Sequence, residues 1–554
     1  MSLPTVRLLS LLGLSTVSLL AQTPANYETA LARYKECLSR LPFRYHTEGR
    51  DTLAKTRCGP ALTVLTEDYT KPKEHTEDAR YLLAHMIGRH FDKAEFCDAL
   101  MMLRGSFSKP GDAWLWVQTL KIHADRVGDA EVIGIAIESK NVLHRAAAIA
   151  AIGLSKSGNL KGVVIPTCVQ FPKKDREGDR MLLLGAMSGA LWQNKSRVND
   201  TDYREALTAY IGLLSDDVAL SHTAKVQMGR HLQWILKGPA LWVTPEPWLE
   251  LMQRGDVKKT PSHNTVTAPR FFGVETDGER FCYILDMSDS MCKVISPGTK
   301  PPEPVVTGQR PAKKKRELFD ETDLPWNKIT NRWDLAREQL RISLYRLTPD
   351  KHFSVVWFGT EASTLDSCKG MQKATKANVD RVLAELDSIK VGEADQVRSP
   401  DGTLRGKTNL HAGLRRAFGL ADKGIVNEFA FVDAQALIDG CDTIFLLSDG
   451  APSIDDFEIE DKDYGEGEVV VDNEYKKPAP RSARLGYPGP YVDPEWIIAD
   501  FHRMNAFRRI RLHCVGLGEA NMDLLRRLAE AGHGQFFQFG EKKAAAPAGE
   551  PSKK

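Results

Sequence analysis

The distribution of hydrophobic residues changes near residue 280, and this change constrains the fold more than any other feature of the chain. Beyond it, apolar runs of strand length alternate with longer amphipathic segments. Uninterrupted apolar strands are typical of a mostly parallel sheet covered on both faces, and their alternation with helices predicts a doubly wound α/β domain. The predicted strands are Phe281–Leu285, Phe353–Phe358, Thr443–Leu447 and Ile510–Val515, and the predicted helices are Trp333–Leu347, Lys376–Ile389, Leu410–Ala421, Pro494–Ala506 and Met522–Ala531.

Residues 25–245 have a different pattern, with apolar residues at spacings of three and four that predict an all-α region. Three of its helices are similar and contain glycines at matching places, Gly153, Gly189 and Gly229, which are 36 and 40 residues apart. A period of roughly 35 to 45 residues is typical of stacked helical pairs. This stretch therefore resembles degenerate HEAT-type repeats and predicts a solenoid-like domain. An irregular helical domain with coincidental spacing is the alternative.

The segment between these two regions, 246–279, is predicted to be a linker. Pro245, Pro247 and the polar run Asp256–Thr267 interrupt the helical pattern at this point. The α/β domain is accordingly predicted to span 280–540. The Ala-, Pro- and Lys-rich residues 541–554 that follow it predict a disordered tail.

The first 21 residues have the features of a secretory signal peptide. Arg7 provides the positive start, and Leu8–Leu20 is an uncharged, leucine-rich run that is too short to span a bilayer. We therefore predict that residues 1–21 are removed and that the protein is exported to the periplasm, the cell surface or the extracellular space. A buried N-terminal helix is the alternative. No later apolar run is long enough to cross a membrane, so we predict no membrane span.

Composition narrows the classes of function. The net charge is only +2, which gives no reason to expect nucleic acid as a partner. The nine cysteines show no CxxC pair and no zinc-type spacing. We therefore predict neither a zinc site nor a dense disulfide framework, although Cys37, Cys58 and Cys97 could include one bridge.

Oxygen donors follow the first and third predicted strands directly, and a further hydroxyl precedes the helix predicted to begin at Leu410. Because the carboxyl ends of parallel strands meet at one edge of a sheet, we expect these side chains to converge. All of them are hard oxygen donors, which favour Mg²⁺, and also Mn²⁺ or Ca²⁺, over zinc or copper. The predicted metal site consists of Asp286, Ser288, Ser290, Thr408 and Asp449.

These residues belong to three short motifs, Asp-x-Ser-x-Ser at 286–290, Gly-Lys-Thr-Asn-Leu at 406–410 and Ser-Asp-Gly at 448–450. Together the motifs resemble the metal-ion-dependent adhesion site of von Willebrand factor type A domains. The resemblance covers about residues 280–540, including the strand predicted near residue 511. It implies a Rossmann-like fold for this half of the chain.

The resemblance also implies a role for each residue of the predicted site. Ser288 and Ser290 would contact the metal directly, and Thr408 would do so directly or through water. Asp286 and Asp449 would act mostly through water. A carboxylate from an Asp or Glu of a protein partner would complete the coordination sphere.

Two long insertions are predicted to leave the sheet beside this site. The segment 293–331 is rich in proline and carries the basic run Lys313–Arg316, whereas 455–491 opens with an acidic run. Loops of this length in a compact domain are usually functional or disordered. Three hypotheses follow: the insertions pair as a lid over the site, they select the partner, or they are solvated and mobile.

These features predict an exported protein–protein interaction module rather than an enzyme, because no convincing general base or nucleophile accompanies the metal residues. The α/β domain would bind an acidic ligand group through the metal, and the helical half would act as a scaffold. The order of leader, helical repeats and A domain resembles that of bacterial envelope proteins. The alternatives are a metal-dependent hydrolase that uses the same site and an intracellular assembly factor with an uncleaved Leu8–Leu20 segment. The oligomeric state is left open.

Overall fold

The computed structural model describes most of the chain, and the predicted signal peptide 1–21 and tail 541–554 lie outside the described residues. No helix in the part that it describes combines the length and the apolar character needed to cross a membrane. The described residues are 24–39, 44–71, 76–107, 110–254, 270–295, 324–391, 403–404, 406–426, 432–460 and 486–539.

The N-terminal half is helical, as predicted. The helices of this half are α1 Tyr27–Leu38, α2 Arg44–Ala54, α3 Gly59–Thr70, α4 Glu77–His90, α5 Cys97–Met101, α6 Ala113–Val127, α7 Ala130–Glu138, α8 Val142–Leu154, α9 Leu160–Val169, α10 Glu177–Gln193, α11 Thr201–Gly212, α12 His222–Leu236 and α13 Pro245–Arg254. Helix α8 packs against α10 and α10 against α12, while α7 packs against α9 and α9 against α11, so the helices of 130–236 form two rows.

The three similarly placed glycines occupy different environments. A Cβ on Gly153 would lie 2.5 Å from the Cα atom of Ala190, so Gly153 permits the close approach of α8 and α10. A Cβ on Gly229 would instead lie 2.4 Å from the carbonyl oxygen of Trp242. Gly189 faces the C-terminal half of the chain. The glycine spacing therefore does not correspond to one repeated helix–helix contact.

The predicted linker 246–279 is wrong for its first residues, because α13 extends to Arg254. Pro245 is the first residue of this helix, where a proline costs no backbone hydrogen bond. Trp248 anchors the helix: its ring is buried and its Nε1 donates to the carbonyl oxygen of Trp242 at 3.1 Å. After the undescribed residues 255–269, a short hairpin at 270–275 packs Phe271 against Tyr283 of the sheet.

A seven-stranded sheet forms the centre of the C-terminal half. Its strands are β1 Arg280–Asp286, β2 His352–Phe358, β3 Ala362–Thr364, β4 Gln372–Lys373, β5 Thr443–Ser448, β6 Arg511–Leu517 and β7 His533–Phe539. They run in the order β7-β6-β5-β1-β2-β3, with β4 also paired to β2, and all pairs are parallel except those of β3 and β4. This is the usual order of a doubly wound, Rossmann-like sheet, whose direction of winding reverses between β1 and β5.

Helices cover both faces of this sheet, which confirms the predicted α/β class. These helices are α14 Arg332–Arg346, α15 Lys376–Ser388, α16 Leu410–Phe418, α17 Ala434–Asp439, α18 Pro494–Asn505 and α19 Met522–Ala531. Helices α14 and α15 pack on one face, and α16, α18 and α19 pack on the other.

Some elements differ from the prediction. Strands β3, β4 and β7 were not predicted. The predicted helix Leu410–Ala421 is too long, since α16 ends at Phe418 and the chain turns into a short hairpin.

The helical half lies directly on the α16–α18–α19 face of the sheet. One hydrophobic cluster runs from α1 through the helical half into this face. Helix α10 approaches the segment after α18 so closely that a Cβ on Gly185 would lie 1.9 Å from the carbonyl oxygen of Phe507. Tyr81 of α4 donates a hydrogen bond of 2.5 Å to the buried Asp500 of α18. The two halves therefore share one core.

Candidate metal centre

Asp286 is the last residue of β1, and its side chain is fully buried. The backbone N–H and the hydroxyl of Ser288 both donate to Asp286 Oδ1, at 2.9 Å and 2.5 Å. This local turn, which Asp side chains commonly stabilise, folds Ser288 back over the carboxylate. Ser290 follows in a short 3₁₀ turn, with its Oγ 3.0 Å from Ser288 Oγ. Three of the five predicted residues are thus in contact.

Strand β5 brings the second carboxylate to the same edge. Asp449 directly follows β5, and its Oδ1 accepts a hydrogen bond of 2.5 Å from Ser290 Oγ. Ser448 closes the pair, because its hydroxyl donates to Asp286 Oδ2 at 2.8 Å. Since β1 and β5 are neighbouring parallel strands at the point where the winding reverses, their carboxyl ends place these residues side by side.

Thr408 belongs to a loop that is held from two sides. Its backbone N–H donates to Ser453 Oγ at 2.9 Å, and its carbonyl oxygen accepts from Ser453 N at 3.0 Å. Two residues earlier, Gly406 N donates to Asp289 Oδ1 at 2.6 Å. Gly406 has a φ of +90°, which favours glycine at this turn. Asp289 therefore connects the β1 turn to the Thr408 loop.

Gly450 shows that the Thr408 hydroxyl faces the other donors. A Cβ placed on Gly450 would lie 3.2 Å from Thr408 Oγ1 and 3.5 Å from Ser290 Oγ. The space that a side chain would fill is therefore bordered by hydroxyls from two different loops. All five predicted residues lie around this one edge of the sheet.

Burial makes the two carboxylates unfavourable as neighbouring anions. Burial, followed by the repulsion from Asp449, raises the pKa of Asp286 to about 7. Burial also raises the pKa of Asp449, and this effect is opposed by hydrogen bonds from Ser290 and Arg332. Buried charges require compensation by donors or cations. A cation at this edge would supply it.

The donor set fits a hard cation. The hydroxyls of Ser288 and Ser290 direct their protons toward carboxylates, so their oxygen lone pairs remain available. Carboxylates that hold coordinating groups in this way are a common outer layer of metal sites. Among the described residues, no group of three or more His, Cys, Asp and Glu side chains is placed to bind a metal. A metal here would thus depend on the hydroxyl oxygens of Ser288, Ser290 and Thr408.

Arg332 was not predicted as part of this site. It is the first residue of α14, and its Nη1 donates to Asp449 Oδ2 at 2.6 Å. The sequence offered no signal for it, because a single arginine at a helix start forms no motif. Ser448, by contrast, stands inside the Ser-Asp-Gly motif and could have been included from its position at the end of β5.

The middle parts of both insertions, 296–323 and 461–485, lie outside the described residues. The described ends of the second insertion make buried contacts with the rest of the domain. Asp455 is 2% exposed and accepts hydrogen bonds of 2.7 Å from the backbone N–H groups of Phe457 and Tyr491. Burial raises the pKa of Asp455 to about 8. Asp456 forms an ion pair with Arg415 of α16. The start of the acidic run is therefore not simply solvated, while the lid and partner-selection hypotheses stay predictions.

Comparison with known proteins adds little to this geometry. No protein-family model matches the chain, and no curated protein matches it. Among solved structures, it is similar to the "von Willebrand factor type A from Catenulispora acidiphila", with a TM-score of 0.26 and 14% identity. The likeness covers 48% of this chain and 40% of that one, so the chain spans less than half of the protein that it matches. The assignment of the fold accordingly rests on the strand order.

Proposed function

We propose that this protein binds a divalent cation, Mg²⁺ first and Mn²⁺ or Ca²⁺ next, at the edge formed by β1, β5 and the Thr408 loop. The cation would in turn bind an acidic group of a protein partner. The observation that carries the proposal is the pair of buried carboxylates, Asp286 and Asp449, which hold two serine hydroxyls at the point where the sheet reverses its winding. Hydroxyl donors leave a bound cation electron-poor, which favours an incoming carboxylate.

In this proposal the helical half is a scaffold of HEAT-like pairs that carries the binding domain, and residues 1–21 direct export. The two helical rows of 130–236 support the scaffold role, since stacked pairs present an extended surface. Export is tested by the N-terminal sequence of the mature protein: an intact Leu8–Leu20 segment would favour the intracellular assembly factor instead.

Metal binding is tested by titrating the purified chain with Mn²⁺, followed by competition with Mg²⁺, using calorimetry. We expect one Mn²⁺ site that Asp286→Asn weakens strongly. Gly450→Ala should weaken it roughly tenfold or more, because its added methyl group fills the space beside Thr408 and Ser290. Gly105→Ala is the matched control, since its methyl group meets no atom within 4 Å. Wild-type protein without measurable Mn²⁺ binding would refute the proposal.

Partner binding is tested by affinity capture with wild type and Asp286→Asn, each with and without a chelator. We expect capture only by metal-loaded wild type, and the captured protein should lose binding when an Asp or Glu in its contact segment is replaced. Turnover of a phosphate or peptide substrate that depends on Asp449 would instead support the hydrolase.

A further inference from the structure

Arg332 places a fixed positive charge directly on the candidate metal centre. Its Nη1 lies 2.6 Å from Asp449 Oδ2, and the two side chains are 13% and 0% exposed. Asp449 Oδ1 is occupied by Ser290 Oγ, so Arg332 takes the other carboxylate oxygen. A buried carboxylate held by an arginine is largely neutralised without any metal.

The surrounding backbone is shaped to hold this guanidinium. Asn331 and Asp334 form a reciprocal capping box that fixes the start of α14, and Arg332 N donates to the carbonyl oxygen of Lys293 at 3.1 Å. Gly518, with a φ of +50°, faces the guanidinium, and a Cβ there would lie 2.2 Å from Arg332 Nη2. The space for Arg332 therefore depends on the glycine that follows β6.

We propose that Arg332 is a built-in counter-ion that sets the charge of the metal centre, an inference that rests on the proposed metal binding. With both carboxylates ionised, as cation binding requires, the guanidinium reduces the negative charge of the centre from two to one. A divalent cation then leaves the loaded centre with one positive charge, which selects an anionic ligand. Arg332 thus weakens metal binding by like-charge repulsion and strengthens binding of a carboxylate.

The test compares wild type, Arg332→Gln and Arg332→Lys in calorimetric Mn²⁺ titrations and in thermal unfolding with EDTA. Arg332→Gln should bind Mn²⁺ roughly tenfold more tightly, because the repelling charge is gone. It should also melt at a lower temperature in EDTA, because Asp449 loses the guanidinium that compensates its charge. Arg332→Lys retains the charge and should bind Mn²⁺ like wild type. With Mn²⁺ loaded, free glutamate serves as the carboxylate probe, detected by water-proton relaxation, and Arg332→Gln should require severalfold more of it.

The outcomes separate the two proposals. If wild type binds no Mn²⁺, metal binding itself is refuted. If wild type binds Mn²⁺ but folded Arg332→Gln binds it no more tightly, the role of Arg332 is refuted. If Arg332→Gln is too unstable in EDTA to titrate, Gly518→Ala gives the decisive comparison. Its methyl group displaces the guanidinium while the arginine is retained, so tighter Mn²⁺ binding supports the inference and unchanged binding overturns it.

Discussion

At the scale of single residues, the candidate metal centre is defined by two carboxylates that are buried next to each other. Asp286 and Asp449 are fully buried, and every hydrogen bond described for their carboxylates comes from a serine, a backbone N–H group or Arg332. These donors reduce the cost of burial but do not remove it, because the pKa of Asp286 stays near 7. The stability of the metal-free protein should therefore depend on pH.

The first prediction concerns this pH dependence. The pKa of Asp286 is raised from 3.8 to about 7 in the folded, metal-free protein, so the folded state holds this proton more tightly than the unfolded state. In EDTA, the contribution of Asp286 to the free energy of unfolding should fall as the pH rises from about 4 to about 7 and then level off. Urea unfolding at several pH values measures it.

Asp286→Asn provides the comparison, since the amide cannot ionise. Its free energy of unfolding should fall less across the same pH range than that of wild type. Mn²⁺ should bind wild type more tightly as the pH rises toward about 7, because cation binding requires the deprotonated carboxylates. Parallel pH profiles for wild type and Asp286→Asn in EDTA would show that Asp286 is not the titrating group.

At the scale of elements, the start of α16 decides where Thr408 lies. Asn409 caps this helix, with Oδ1 accepting from Ala412 N at 3.1 Å, and its Nδ2 donates to Asp456 Oδ1 at 2.9 Å. Thr408 directly precedes the cap. The cap therefore connects a helix end, the base of the second insertion and the candidate metal centre.

The second prediction tests this connection with Asn409→Ala. Loss of the cap should cost about 1 kcal/mol of stability and should also weaken Mn²⁺ binding, because the Thr408 loop loses one of its anchors. Thr375→Ala is the matched control. The Thr375 side chain caps α15 by accepting a hydrogen bond from Asn378 N, and α15 lies on the opposite face of the sheet. We expect a similar loss of stability in urea with unchanged Mn²⁺ affinity. Equal Mn²⁺ affinities for both variants would show that the α16 cap does not affect the candidate metal centre.

Most elements of the α/β half could be predicted because their cores are continuous apolar runs. The exceptions have weaker signals. Strand β7 has a mixed pattern in which Phe537 is exposed, and β3 is only three residues long. The excess length predicted for α16 arose because Leu420 and Ala421 continue the apolar pattern, although Gly419 ends the helix. Apolar content alone does not distinguish the last turn of a helix from a short strand.

For the whole molecule, the main feature is the shared core of the two halves. The buried carboxylate of Asp500 lies at this junction. Its Oδ2 accepts a hydrogen bond from Tyr81 of the helical half and lies 2.6 Å from His411 Nε2, and its Oδ1 accepts from Arg503 Nε at 2.6 Å. Arg503 also donates to the carbonyl oxygen of Tyr81 at 2.9 Å. A buried polar group with several partners rigidifies the elements that contribute to it.

The third prediction is that both halves unfold in one cooperative transition, which calorimetry should record as a single endotherm. Gly185→Ala should lower its midpoint, because the new Cβ meets the carbonyl oxygen of Phe507 and overpacking typically costs about 1–3 kcal/mol. Gly134→Ala, in α7, meets no atom within 4 Å and serves as the control that should leave the midpoint unchanged or slightly higher. Two well-separated endotherms in wild type would contradict a shared core.

This docking could not be predicted from the sequence, whereas the convergence of Asp286 and Asp449 could. Strand ends that meet at one edge follow from the topology of a parallel sheet, and the topology follows from the alternation of elements. Tyr81 and Asp500 are separated by 419 residues, and no periodic pattern connects them. The contact depends on complementary surfaces, and these produce no periodic pattern in the sequence.

The position of His411 has a mechanical consequence. His411 lies on α16, three residues after Thr408, and it shares Asp500 with Tyr81 of the helical half. Tension applied between the halves would therefore load α16, whose first turn stands beside the candidate metal centre. If the proposed cation and partner bind there, a partner that pulls on the cation would transmit its load along the same path in the opposite direction.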